Sequence, residues 1–417
     1  MRLSQFSIWA AGLVAVASAL FVLNSAGACP FCSAPSLTLS EQVTQADDVV
    51  LVKWVGGQAA KISDSGSTEF EVLDVVHQHE GGKLAKGGKI TLVRYRQAKP
   101  GDEFMLFGTK VEQAIEWGSP LEVSKTAYEY IRNSPKPTVA AADRLKYYLK
   151  YLETEDKMIA DDAFGEFANA AYADVAKIAA DLPREKLRKW VTTKDATPGR
   201  LGLYGMMLGL CGTEEDATKL EEKILEKTDD YRLGIDGIMG GYLLLTKDKG
   251  LAVLENEKLK NKQAPFSETY AAMQAVRFMW QYGDNRITPD RLRESMRTLL
   301  DRPELSDLVI ADLSRMKDWS VQDKLMGMYD EETNIPSVKR AIVRYMLSST
   351  RDTGKKESDA AKGDAAKAGG AGAAPATDSA PTGEVPAHVT KGQKCLAELE
   401  RKDPKTVNEA KRFFLLK

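Results

Sequence analysis

Apolar positions between residues 49 and 117 fall in five short β-rich blocks, at 49–55, 69–76, 89–95, 103–107 and 114–117. Gly56-Gly57, Gly81-Gly82, Gly87-Gly88 and Pro100-Gly101 separate them, and this spacing predicts a small closed or nearly closed antiparallel barrel. A short helix is expected just before the first block, because Thr38 and Glu41 have the spacing of a capping box. From about Ala140 to Ser348 the period changes to that of helices. Leu145, Tyr148, Leu149 and Leu152 share one face, as do Leu220, Ile224 and Leu225, and Leu292, Met296, Leu299 and Leu300. Residues 351–393 hold almost no large apolar side chain and read as a flexible linker, since such a stretch buries too little surface to offset its chain entropy. Residues 394–417 regain an apolar stripe of Leu396, Leu399, Val407, Ala410 and Phe414, interrupted at Asp403-Pro404. This last piece is expected to dock back or to meet a partner.

The amino terminus changes the picture. Arg2, an apolar run from about Ile8 to Leu23, and Ala26-Gly27-Ala28 have the form of a secretory signal peptide cleaved after Ala28. An uncleaved membrane anchor is the other reading, and a lipid-modified Cys29 is disfavoured because Ala26 stands where a lipobox needs an aliphatic residue. No later stretch approaches the length of a membrane span. The expected product is exported, periplasmic or extracellular, with domains at 1–28 (signal), 29–135 (barrel), 140–350 (helical), 351–393 (linker) and 394–417 (terminal helix).

Helix junctions at Gly212-Thr213-Glu214, Lys247-Asp248-Lys249, Gly283-Asp284-Asn285 and Lys317-Asp318-Trp319 recur at intervals of about 35 residues. Paired helices at that interval resemble HEAT-like repeats, an α-solenoid whose units bury their apolar stripes against one another. A compact irregular bundle is the alternative. The leading cysteine cluster, Ala46-Asp47-Asp48-Val49-Val50 entering the first strand, and Gly101-Asp102-Glu103-Phe104-Met105-Leu106-Phe107-Gly108 resemble the netrin-like module over about residues 29–125. The resemblance implies an OB-type barrel such as that of tissue inhibitors of metalloproteinases. Those proteins tie their leading cysteines to later ones within the barrel, but no cysteine occurs here between Cys32 and Cys211.

Charge and composition narrow the chemistry. With 58 Lys and Arg against 60 Asp and Glu, the chain lacks the electrostatic footprint of a nucleic-acid binder. Three histidines, His77, His79 and His388, leave little room for histidine catalysis. Of the four cysteines, only Cys29 and Cys32 are close in sequence, and they are expected to form a disulfide. Cys211 reads as a buried small hydrophobe at the end of an apolar helical run. A zinc site from Cys29, Cys32, His77 and His79 is a minor alternative. The sequence carries no cofactor signature: a Walker lysine and a Gly-x-Ser-x-Gly elbow are absent, and Ser33 stands where haem attachment requires histidine. Gly237-Ile238-Met239-Gly240-Gly241 lies in an apolar helical stretch and reads as close helix packing. Acidic pairs such as Asp161-Asp162, Glu214-Glu215-Asp216 and Glu331-Glu332 read as solvated helix caps and turns.

These features point to an exported, non-catalytic binding or scaffold protein whose partner is a protein or a small ligand. Arg and aromatic residues, notably Tyr270, Arg277 and Trp280, mark a binding surface, with inter-repeat core as the alternative. Two other functions stand beside this one. In a thiol-disulfide oxidoreductase Cys29 attacks and Cys32 resolves. In a metalloprotease inhibitor, the function the netrin-like resemblance implies, the mature amine and carbonyl of Cys29 would chelate zinc.

Overall fold

The computed structural model describes residues 29–32, 37–61, 65–112, 114–193, 197–228, 230–331, 335–353 and 385–415. The expected signal sequence lies outside the described residues, as does most of the expected linker.

Helix α1 (Leu39–Gln45) opens on the expected capping box, with the Glu41 N–H donating to the Thr38 hydroxyl and the Thr38 N–H donating to Glu41 Oε2 at 2.9 Å. Six strands follow: β1 (Asp48–Gln58), β2 (Ser67–His77), β3 (Lys89–Leu92), β4 (Glu103–Val111), β5 (Ala114–Trp117) and β6 (Leu121–Glu122). They form one antiparallel sheet in the order β3-β2-β1-β4-β5, with β6 also on β4. A fourth strand that returns beside the first is a Greek key. Strand β1 is buried on both faces, which is why its sequence runs apolar instead of alternating. Val50 and Val52 join Phe70, Val72, Ile90, Leu92, Phe104 and Leu106 in the sheet's own core, while Val49, Leu51 and Met105 turn toward the helices. The outer edges of β3 and β5 are not paired with each other, so the sheet does not close by strand pairing. Arg94 spans that gap by donating from Nη2 to the carbonyls of Trp117 and Gly118. The third strand stops at Leu92, three residues early, because the Thr68 hydroxyl binds the bending chain at Arg94 O and Arg96 N, both at 2.7 Å.

The helical part contains α2 (Lys125–Arg132), α3 (Ala141–Tyr148), α4 (Lys157–Asn169), α5 (Tyr172–Lys177), α6 (Arg184–Thr192), α7 (Leu201–Cys211) and α8 (Glu214–Leu225). It continues with α9 (Ile235–Thr246), α10 (Asp248–Leu254), α11 (Phe266–Tyr282), α12 (Pro289–Arg297), α13 (Ser306–Arg315), α14 (Gln322–Asp330) and α15 (Pro336–Arg351). Every junction expected from the sequence is a turn between paired helices: α7/α8, α9/α10, α11/α12 and α13/α14. Helices α7, α9 and α11 pack in succession, as do α13 and α15. Ion pairs tie the second helices together. Arg188 on α6 reaches Asp216 on α8 at 2.6 Å, and Arg291 on α12 reaches Glu255, just past α10, at 2.5 Å.

Helices α7 and α9 touch backbone to backbone. A Cβ on Gly241 would lie 1.9 Å from the Gly205 carbonyl oxygen, and one on Gly237 would lie 2.2 Å from that of Gly202. The glycines at 202, 205 and 209 thus face those at 234, 237 and 241, and close helix packing accounts for the glycine-rich stretch.

The terminal piece begins at Ala387, earlier than the apolar stripe suggests, and forms two helices, α16 (Ala387–Lys402) and α17 (Pro404–Leu415). Both pack on α15. Val389 is buried, and Gly392 sits so close to Ser349 that a Cβ there would meet its hydroxyl at 2.3 Å. Docking therefore orders a turn whose Thr and Gly give no periodic signal. The break at Asp403-Pro404 falls where expected. Among the described residues, no helix is long and apolar enough to cross a membrane.

Candidate functional site

Cys29 and Cys32 form a disulfide, and the loop they close is seated in the helical core, not on the sheet. The Cys29 N–H donates to the carbonyl of Ala168 at the end of α4 (2.9 Å), and Cys29 is 5% exposed. Phe31 inserts its ring against Phe278 of α11, with centroids 4.8 Å apart, and Phe278 in turn meets Tyr172 of α5. The slot exists because two glycines line it. A Cβ on Gly240 would lie 2.6 Å from the Phe31 ring, and one on Gly202 would lie 2.8 Å from the Phe31 carbonyl oxygen. The loop therefore packs on the helices although it precedes the sheet in sequence.

Cys32 is partly exposed and lines a pocket of about 220 Å³ with Tyr231, Asp236, Ser267 and Tyr270. On its wall Glu268 is held by Arg232 at 2.5 Å and Lys258 at 2.9 Å. These two cations hold the Glu268 carboxyl below the ordinary range against the opposing effect of burial. Burial raises the pKa of the Asp236 carboxyl. Among the described residues, the first element after the loop is α1 at Leu39.

The structure does not assemble the zinc set of Cys29, Cys32, His77 and His79. Both sulfurs are consumed in the disulfide, whereas His77 pairs with Val49 in the sheet and His79 hydrogen-bonds through its backbone and Nδ1 to Asp48 Oδ1, each at 2.9 Å. Among the described residues, no group of three or more His, Cys, Asp or Glu is arranged to hold a metal. Cys211 is half-buried, not buried, and desolvation pushes its thiol up to about 11.

Tyr270, Arg277 and Trp280 lie along α11, all half-buried, and they serve two different depressions. Tyr270 stacks on the exposed Phe266 beside the disulfide pocket. Arg277 and Trp280 border a depression of about 590 Å³ that reaches Arg315. Met273 and Phe278 of the same helix are core, so the aromatic-rich stretch divides between packing and surface.

Sequence reasoning missed a buried polar network joining α1 to α4. Asp162 accepts from the Leu39 N–H at 2.6 Å and from the Tyr130 hydroxyl at 2.7 Å, while the Ser40 hydroxyl donates to Glu166. Tyr148 is fully buried, and among the described residues its hydroxyl has no hydrogen-bond partner. Asp161 and Asp162 are thus interior to α4, not caps at a helix start, and Asp216 is fully buried even though it does cap α8. Glu332 lies outside the described residues. A signal for the network was present: Glu166 falls on the apolar stripe of Ile159, Ala163 and Phe167.

Burial, aided by Glu166 and Glu41, raises the Asp162 carboxyl from 3.8 to about 6. The native state therefore holds a proton that the unfolded chain has released, so the contribution of Asp162 to stability falls as pH rises from about 4 to about 6 and then levels off, against the opposite trend of ion-paired carboxylates such as Glu255 and Glu268. Urea midpoints measured across that range should therefore fall more steeply, or rise less, in the parent than in Asp162→Asn. Equal slopes in the two proteins would count against the assignment.

Comparison with known proteins finds no matching family, no matching curated protein and no matching solved structure.

Proposed function

We propose that the chain is an exported, non-catalytic binding protein that recognises its partner on the face formed by α11, α13 and α15. The observation that carries this reading is the convergence of three depressions on one residue. Arg315 borders a groove of about 840 Å³ between α13 and α15, the depression at Trp280, and a third at Trp319. Surfaces rich in Arg and aromatic side chains are where binding energy concentrates. A netrin-like OB barrel is supported by the Greek-key order and by Arg94 across the open edge, and a HEAT-like array by the regular helix pairs. Export is supported by the disulfide.

A photo-cross-linking residue at Gln281 or Ala341 should yield partner adducts in the native cell envelope or medium, and Arg315→Glu should abolish them. The same probe at Lys219 on α8 should give none. Adducts at Lys219 equal to those on the face would overturn the reading.

Thiol-disulfide exchange is the second reading, favoured by the partial exposure of Cys32 beside a pocket. Because Cys29 is buried, the reachable sulfur is Cys32, which reverses the roles expected from the sequence. Insulin reduction by the pre-reduced protein tests it. Zinc chelation by Cys29 finds no support, since its nitrogen is engaged by Ala168 inside the helical core.

A further inference from the structure

We propose that the groove between α13 and α15 takes an acidic amphipathic peptide segment of a partner protein; this inference rests on the recognition face described above. The groove is apolar along its floor and carries charges of both signs at its rim, with arginine in excess. Leu308, 38% exposed, supplies the apolar anchor with Ala311 and Ala341, while Arg315, Arg340 and Arg344 border it.

Its charge is set by what is hidden. Asp312, 3% exposed, lies beneath two guanidiniums, with Arg277 Nε at 2.6 Å and Arg315 on its other oxygen. The carboxylate is spent within the protein, and the Arg315 side chain remains 67% exposed above it. Asp307 and Glu409 lie elsewhere on the groove's lining, Asp307 accepting from the Leu308 N–H in the first turn of α13 and Glu409 lying 3.6 Å from Arg340. Positive charge is thus in surplus toward Arg315, which favours a ligand whose acidic end meets that residue. Arg binds carboxylates through paired N–H donors, so a row of Glu or Asp beside the arginine rim gains charge-assisted hydrogen bonds. The adjoining depressions at Trp280 and Trp319 extend the track over three helices, a length suited to a peptide and not to a compact small molecule. Apolar residues at helical spacing would sit on Leu308 and the alanines, the mode of a helix laid in a groove.

The test uses the full chain and a fluorescein-labelled synthetic peptide of about four helical turns, with Leu at i, i+3, i+4 and i+7 and Glu elsewhere. Anisotropy should report binding that weakens with salt, by at least about tenfold in Arg315→Ala and again in Leu308→Asp, as expected for anchor residues. Thermal unfolding of each variant checks that the fold persists, since Arg277 still holds Asp312 in Arg315→Ala and Leu308 is 38% exposed. The Lys-for-Glu peptide should not bind. Equal binding of that peptide, an unchanged affinity in Arg315→Ala, or full displacement by inorganic phosphate would overturn the proposal, the last by revealing a simple anion site. If the acidic peptide fails while cross-links at Gln281 and Ala341 persist, the ligand class falls and the recognition face stands.

Discussion

Replacing Phe31 by alanine is expected to lower stability by about 3–5 kcal/mol, the cost of emptying an aromatic site in a core that relaxes only partly. Phe31 is 8% exposed and its ring occupies a slot floored by Gly240 and walled by Phe278. Nothing nearby is positioned to refill the slot, because its floor is glycine. Removing the disulfide with Cys29→Ala and Cys32→Ala should cost less, about 2 kcal/mol, since a loop this short constrains few conformations of the unfolded chain. The order matters more than either value. It says that the loop is held by what it inserts, with the covalent bond serving to shape the insert. Urea unfolding of the two variants and of Phe31→Leu, which should fall between the parent and the alanine variant, measures this directly. A double-cysteine variant less stable than Phe31→Ala would reverse the assignment and make the bond the principal fastening.

The second large effect is expected at Gly241. An alanine there would place its Cβ 1.9 Å from the Gly205 carbonyl oxygen and 2.6 Å from the carbonyl carbon, both backbone atoms that no side-chain rotation can move. Helices α7 and α9 would have to separate, with a loss of about 3 kcal/mol or more. Because Phe31 lies on the same pair of helices, that separation should also loosen the disulfide loop and make Cys32 easier to reduce. Gly327 in α14 is the control. No atom lies within 4 Å of a Cβ built there, so Gly327→Ala should be neutral or stabilising by up to about 1 kcal/mol through its better helix propensity. Two variants with the same chemistry and opposite signs would locate the effect in the helix contact. Similar changes in both would remove the contact from the explanation.

The locations of the elements were legible because they rest on local patterns. The capping residues of α1, the turns at Lys247 and Gly283, and the glycine stretch of α9 all express backbone rules that act within a few positions. Less was legible at the candidate site. Tyr270, Arg277 and Trp280 fall on one helix, but only the neighbours α9 and α13 decide that Tyr270 belongs to the disulfide pocket while the other two border Arg315. The network at Asp162 draws its donors from α1 and α2, elements remote from α4 in sequence, although Glu166 on an apolar stripe hinted at it. The early start of α16 depended on burial against α15 and not on propensity.

By itself the sequence determined which stretches form strands and which form helices, where the paired helices turn, that the two leading cysteines are close enough to bond, and that the chain as a whole is nearly neutral. These properties depend on backbone preferences, apolar period and residue counts, which act locally or by simple addition. Only the tertiary structure decided that the cysteine loop joins the helices instead of the sheet that follows it, which carboxylates are hidden beneath arginines, and which face keeps an arginine-rich rim. Each of those outcomes is settled by contacts between residues far apart along the chain, where shape and desolvation, and not neighbouring sequence, determine which group is buried.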